Sequence, residues 1–368
     1  MRNVRRTLFL VLVAVLLIGL LPGVTAQDMT PVKLQLKWVT QAQFAGYYAA
    51  LNEGYYAEVG LDVEILPGGP DISPQQVVAA GGAEFGIDWM GSHLASREAG
   101  SGTVVIAQVF QRSGMRELTW ADSGLETIAD LEGRKVGVWG FGNQSPLFAA
   151  LVKEGLDPSD PNDVEIVNQP FDMNLLLNRE VDAAAAMTYN EMAQVLETVG
   201  EDGSFPLYTL EDLNVIDLNE VGTAMLEDNI FARDEWLAEE GSADIAVRFI
   251  GASMRGWIFC RDNPDTCVDY VLAEGSTLGA GHQRWMMSEI NKLVWPSPSG
   301  VGIMDPALYD QTAAIALNYE VVTAEPENAW RNDLAEAALS WLQGNYPDED
   351  PFGLEWQAAT VEITPGGE

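Results

Sequence analysis

Residues 32–66 read VKLQLKWVTQAQFAGYYAALNEGYYAEVGLDVEIL. In "VKLQLK" (32–37) apolar and polar side chains alternate, the period of a half-buried strand. Phe44, Tyr47, Tyr48 and Leu51 then recur at i, i+3, i+4 and i+7, one face of an α-helix that Gly54 is placed to end. "LDVEIL" (61–66) returns to alternation. Thr40 and Gln43 have the spacing of a capping box, so Gln43 has two readings, a helix cap or a ligand contact. Strand, helix and strand at this spacing begin a parallel sheet with a helix on its face.

The same rhythm runs on. Pro67-Gly68-Gly69-Pro70 is a turn, and "SPQQVVAAG" is a helix with Ser73 as N-cap and Pro74 in its first turn. "AEFGIDW", "SHLASREAG" and "TVVIAQVF" read as strand, helix and strand. The pattern restarts at "RKVGVWG", followed by a helix from about Ser145, "DVEIVNQ", a helix through "MNLLLNRE", and the strand "VDAAAAM". After "GTAMLEDNIFA" the chain turns mostly helical. The fold class expected is α/β: two lobes, each a mainly parallel sheet flanked by helices, joined by two crossings. Lobe 1 is expected at 27–117 plus 223–345 and lobe 2 at 118–222, with a loosely held tail at 346–368.

Arg2, Arg5 and Arg6 before the apolar run Leu8 to Leu21, with Val24-Thr25-Ala26 after it, form a secretory leader over residues 1–26. The alternative is an uncleaved anchor, for which the run is short. Against 19 Lys and Arg stand 55 Asp and Glu, a net charge of −36 that deepens by three if the leader is removed. Such a field repels nucleic acid and anionic membrane, so neither is an expected partner. Cys260 and Cys267 lie in "FCRDNPDTC", where a disulfide is favoured over two buried thiols in an oxidising compartment. His93 and His282 are the only histidines, too few for a zinc or iron site with two cysteines.

In open α/β sheets ligands bind outside the carboxyl ends of the strands. The residues there are Trp38, Gln41 and Gln43 with Tyr47 of the next helix, Asp88 and Trp89, Phe110, Gln111 and Arg112, Trp139, Phe141 and Asn143, and Tyr189, Asn190 and Glu191. Aromatic rings supply flat contact area, and the amides and acids among them can orient a polar edge. "GVWGFGNQSP" invites a nucleotide reading through Gly140 and Gly142, but Ser145 stands at the third glycine of GxGxxG and no Gly-Lys-Ser/Thr follows. Neither histidine has a Ser or Cys nucleophile motif beside it, and no Gly-x-Ser-x-Gly is present, so the chain is not expected to be an enzyme.

"LQLKWVTQAQFAGYYAALNEGYYAEVGLDVEILPGGPD", "AEFGIDW", "LEGRKVGVWGFGN" and "VDAAAAMTYNE" resemble the periplasmic solute-binding proteins of the pyrimidine-precursor and taurine-binding superfamily, over about residues 32–345. The branch it is most similar to holds the thiamin-pyrimidine binder ThiY, the yeast-type pyrimidine synthase and the riboflavin binder RibY. The resemblance implies a type II periplasmic binding fold, a monomer exported to the periplasm or cell surface, and an ABC permease as partner. Pyrimidine binders of that branch carry Trp-x-Pro-Asn-x-Asn-His-x-Gly. Here Trp38 and Gly46 are kept, while Gln41 and Gln43 replace the asparagines and Phe44 the histidine. The cysteine-rich iron cluster of the synthase has no counterpart. The resemblance therefore implies riboflavin or a related flat heterocycle as a transported ligand, with no cofactor. A thiamin pyrimidine precursor such as formylaminopyrimidine is the alternative, and an exported enzyme acting on such a compound a further one.

Overall fold

The computed structural model describes residues 29–140 and 142–368, so the leader and Phe141 lie outside the described residues. Ten strands form two five-stranded sheets. The first holds β1 (Thr30–Gln35), β2 (Leu61–Leu66), β3 (Phe85–Asp88), β4 (Thr103–Gln108) and β10 (Asn229–Arg233), in the order β2-β1-β3-β10-β4. The second holds β5 (Met115–Trp120), β6 (Lys135–Val138), β7 (Glu165–Asn168), β8 (Ala183–Met187) and β9 (Leu213–Asp217), in the order β7-β6-β8-β5-β9.

The two orders are the same pattern written twice. In each sheet four strands point the same way, and the one at the fourth position runs against them. That fourth strand, β5 or β10, is the one that arrives directly from the other lobe. The sheets are therefore mainly parallel, as expected, with one reversed strand each, because each returning strand enters its sheet against the direction of its neighbours. "MRELTW" (β5) and "LNVID" (β9), not anticipated as strands, complete the second sheet. The expected boundary at 117/118 falls inside β5, whose partners β8 and β9 are all in the second sheet. The chain crosses at 109–114 and again at 222–228.

The first helix after β1 covers Ala45–Asn52, preceded by a 3-10 turn over Ala42–Phe44. It is not a one-faced amphipathic helix: every residue from Ala45 to Ala50 is buried. One side rests on the sheet and the other on the helix Ser242–Asp262. Gly46 and Gly256 allow that crossing, since a Cβ on Gly256 would lie 2.0 Å from the Gly46 carbonyl oxygen. On the helix Ser242–Asp262, Phe249 stacks between Phe85 of β3 (4.1 Å between centroids) and Tyr56 of the short helix Tyr55–Glu58 (5.3 Å). Burying rings of this size stabilises the lobe by about 2 kcal/mol each.

Ser73 caps the helix Pro74–Ala79 as expected, its hydroxyl accepting from Gln76 N–H at 3.4 Å. Thr40 and Gln43, by contrast, form no capping box. The Thr40 hydroxyl pairs with Tyr48 at 3.0 Å, and the Ala42 N–H donates to Gln283 Oε1 at 2.6 Å. Cys260 and Cys267 are joined in a disulfide across the break between the helices Ser242–Asp262 and Pro264–Ala273. The C-terminal tail is docked rather than loose: Gly366 N–H donates to the Glu197 carbonyl at 2.8 Å, and Gly367 is buried. No helix among the described residues is long and apolar enough to cross a membrane.

Candidate ligand-binding site

The carboxyl ends of both sheets face one cleft. Its inner compartment spans about 400 Å³ of empty space, part of it open to solvent, and is lined by Lys37, Trp38, Gln41, Gln43, Trp89, Trp139, Asn143, Phe171, Met187, Tyr189, Asn190 and Glu191. The loops after β1 and β3 bring the first five, and those after β6, β7 and β8 bring the rest. Over it lies a wider compartment of about 1510 Å³, partly open to solvent, walled by residues 69–76 of the first lobe and 168–171 of the second. Lys37, Trp38, Trp139, Asn143 and Phe171 line both.

The floor of the inner compartment is built on a buried acid. Asp228, on the second crossing, sits at φ 38°, a left-handed backbone uncommon outside glycine. Its carboxylate accepts from Gln43 Nε2 at 3.0 Å to each oxygen and from Trp89 Nε1 at 2.8 Å. Gln43 in turn accepts from Gln41 Nε2 at 2.7 Å. Burial pushes the Asp228 carboxyl up to about 7, opposed by the Gln43 and Trp89 hydrogen bonds and by nearby Lys37. Glu191 is likewise raised by burial to about 7, although the Met187 N–H donates to it at 3.0 Å.

Several polar atoms on these walls have no protein partner among the described residues. Gln41 Oε1, Trp139 Nε1 and Asn143 Oδ1 are buried and unpaired. Buried polar groups are nearly always hydrogen-bonded, so three unpaired ones around a single small cavity make it the candidate site for a polar ligand edge. Across the mouth, the rings of Trp38 and Phe171 meet with centroids 4.3 Å apart, one from each lobe. The lobes are in contact here, and again where Gly142 approaches Ser92.

Of the residues expected at the strand ends, Trp38, Gln41, Gln43, Trp89, Trp139, Asn143, Tyr189, Asn190 and Glu191 line the inner compartment. Others are drawn elsewhere, each for a physical reason. Asp88 is fully buried beneath the wall, where it accepts from Lys37 Nζ at 2.8 Å, from Ser92 at 2.7 Å and from Gln75. Tyr47 and Phe110 both pack edge-on against Trp257, at 5.6 and 6.3 Å. Gln111 folds back on its own crossing to donate to the Gln108 carbonyl at 3.0 Å. Arg112 spends its guanidinium on carbonyls at and beyond the end of the helix Ala280–Val294, including Pro296 at 2.8 Å.

Lys37 and Phe171 were not anticipated, and Met187 opens a strand-end segment without being singled out in the sequence as a site residue. Phe171 lies three residues past the end of β7, within reach of the strand-end rule applied to "DVEIVNQ". Lys37 and Met187 end the stretches "VKLQLK" and "VDAAAAM", and Met187 lines the cavity while still buried in the core. The helix Ala280–Val294, expected in the first lobe, also reaches the second: His282 Nε2 is 3.0 Å from Asn190 Oδ1, and Trp285 Nε1 donates to the Thr188 carbonyl at 2.9 Å.

Residues 41–267 match the family described as NMT1/THI5 like. A formylaminopyrimidine-binding protein of Halalkalibacterium halodurans is 24% identical over 265 residues, which are 71% of this chain and 76% of that protein. The riboflavin-binding protein RibY of Chloroflexus aurantiacus is 25% identical over 257 residues, 68% of each chain. Among solved structures, the periplasmic aliphatic sulphonate binding protein SsuA of Escherichia coli superposes with a TM-score of 0.59 at 16% identity, covering 81% of this chain and 90% of that one. The shared fold is that of the periplasmic binding proteins.

Proposed function

This chain belongs to the NMT1/THI5-like family, and from that premise we propose that it is an exported solute-binding receptor of an ABC importer that captures riboflavin or a related flat heterocycle. The observation that carries this reading is the inner compartment itself, where aromatic rings from both lobes and three unpaired buried polar atoms converge. Trp38, Trp89, Trp139 and Tyr189 offer faces for a ring system. Gln41, Asn143 and Asn190 address its heteroatoms, and the lobes close over it. The permease would read that closed state, with the flavin as cargo rather than cofactor.

Formylaminopyrimidine is the second reading. It has in its favour that the relative of that name is matched over more of its own length than RibY. The replacement of the pyrimidine binders' Asn and His by Gln41, Gln43 and Phe44 counts against it. An exported enzyme would need an activated nucleophile, and the lining of the inner compartment has no Ser, Cys or His among the described residues.

Titrating the purified protein into riboflavin and following flavin fluorescence separates these readings. Stacking on tryptophan quenches the flavin. Absence of quenching together with calorimetric binding of formylaminopyrimidine would replace the first reading by the second, and conversion of either compound would make the protein an enzyme.

A further inference from the structure

A stacked ring does not account for the outer compartment. Its wall is a built feature of the first lobe. Gly68 N–H donates to the Trp38 carbonyl at 2.8 Å, and a Cβ on Gly68 would lie 2.4 Å from the Leu36 carbonyl oxygen. Only glycine lets the loop after β2 press flat on the end of β1, which sets residues 69–76 opposite Asn168 of the second lobe.

The chemistry of this compartment differs from that of the inner one. Asp71 and Gln76 from one lobe and Asn168 from the other are exposed on its walls, with no side-chain hydrogen bond to another described residue. Among the described lining residues of both compartments, Lys37 is the single lysine or arginine. Its ammonium is committed, 2.8 Å from Asp88 and 4.9 Å from the Trp89 ring centroid. Amides and a carboxylate can match the hydroxyls of a polyol, donor to acceptor and acceptor to donor. A phosphate dianion would meet the Asp71 carboxylate with no free cation to hold it, in a chain whose net charge is already −36.

Resting on the function proposed above, we infer that the outer compartment is a second subsite. It takes an uncharged, hydroxylated chain carried by the ring in the inner compartment, and it discriminates against the phosphorylated form of that chain. The two compartments meet at Trp38, Trp139, Asn143 and Phe171, so one ligand spans both.

Three flavins test this by fluorescence quenching at fixed salt: lumiflavin, which has the ring and a methyl group, riboflavin, and its 5′-phosphate. Riboflavin should bind about tenfold more tightly than lumiflavin, the scale of one or two net hydrogen bonds, and at least about tenfold more tightly than its phosphate. The double variant Gln76→Ala, Asn168→Ala should narrow the riboflavin-to-lumiflavin ratio. Asp71→Asn should narrow the gap between riboflavin and the phosphate. Equal affinity for lumiflavin and riboflavin, or a phosphate bound as tightly as riboflavin, overturns the subsite and leaves the receptor standing. Quenching of none of the three removes the receptor reading and the subsite with it.

Discussion

Trp38 and Phe171 touch across the cleft, with centroids 4.3 Å apart and ring planes tilted by 59°. One follows β1 in the first lobe and the other β7 in the second. Both line the inner and the outer compartments, so their contact marks the neck between the two. Phe171 is 41% exposed despite this contact, and the fold does not depend on it.

Phe171→Ala should therefore speed the release of bound flavin while leaving the thermal midpoint nearly unchanged. An aromatic pair is worth about 1 kcal/mol beyond its buried area, which makes the expected acceleration about fivefold. Stopped-flow displacement measures it, and a release rate equal to that of the parent protein would show that the contact does not gate the site.

The buried acid beneath the site has a pH signature. Because the folded protein raises the Asp228 carboxyl to about 7, the folded state keeps a proton there that the unfolded chain has lost. Stability from this group is present below the usual carboxylate range and is lost as pH rises toward 7. Asp228→Asn removes that loss. The melting temperature of the variant relative to the parent should rise between pH 4.5 and pH 7.5, and a flat or falling difference would contradict the burial argument.

Gly256 is a packing position, not a flexible one. A methyl group there would lie 2.0 Å from the Gly46 carbonyl oxygen and 2.9 Å from Ala50. Gly256→Ala should destabilise the protein by about 3 kcal/mol, the upper range for overpacking, because two helices must separate to admit it. Urea denaturation gives the value, and a change within about 0.5 kcal/mol would mean that the helices slide apart at little cost.

The Cys260–Cys267 bridge closes a short loop between two helices. On loop-closure entropy it contributes about 2 kcal/mol. Replacing both cysteines by alanine should lower the melting temperature by several degrees without altering flavin affinity, since the bridge is not among the residues lining the cleft. A loss of affinity in a variant that still folds would tie this region to the site.

How much of this was readable beforehand differs from residue to residue. Ser73, Ser145 and the strands "VKLQLK", "LDVEIL" and "VDAAAAM" obey local rules, and the structure places them where those rules do. Gln43 has the capping spacing but does not cap, because Asp228, distant in sequence, offers both of its carboxyl oxygens to the Gln43 side chain. Arg112 and Asp88 sit at strand ends as expected, yet each had a nearer partner than the cleft. Phe171 escaped notice because it lies three residues past the end of its strand, and its neighbour in space, Trp38, comes from the other lobe.

The alternation of strands and helices, the glycines at turns and the leader-like start are properties of short windows, and the sequence alone determined them, together with the α/β class and its two lobes. Strand direction was decided by tertiary structure: β5 and β10 are antiparallel because each crosses from the opposite lobe, which no local period encodes. The binding surface was decided there as well. Which side chains line a cleft depends on where two sheets end relative to each other, and on whether a closer donor or acceptor has already claimed the polar groups at those ends.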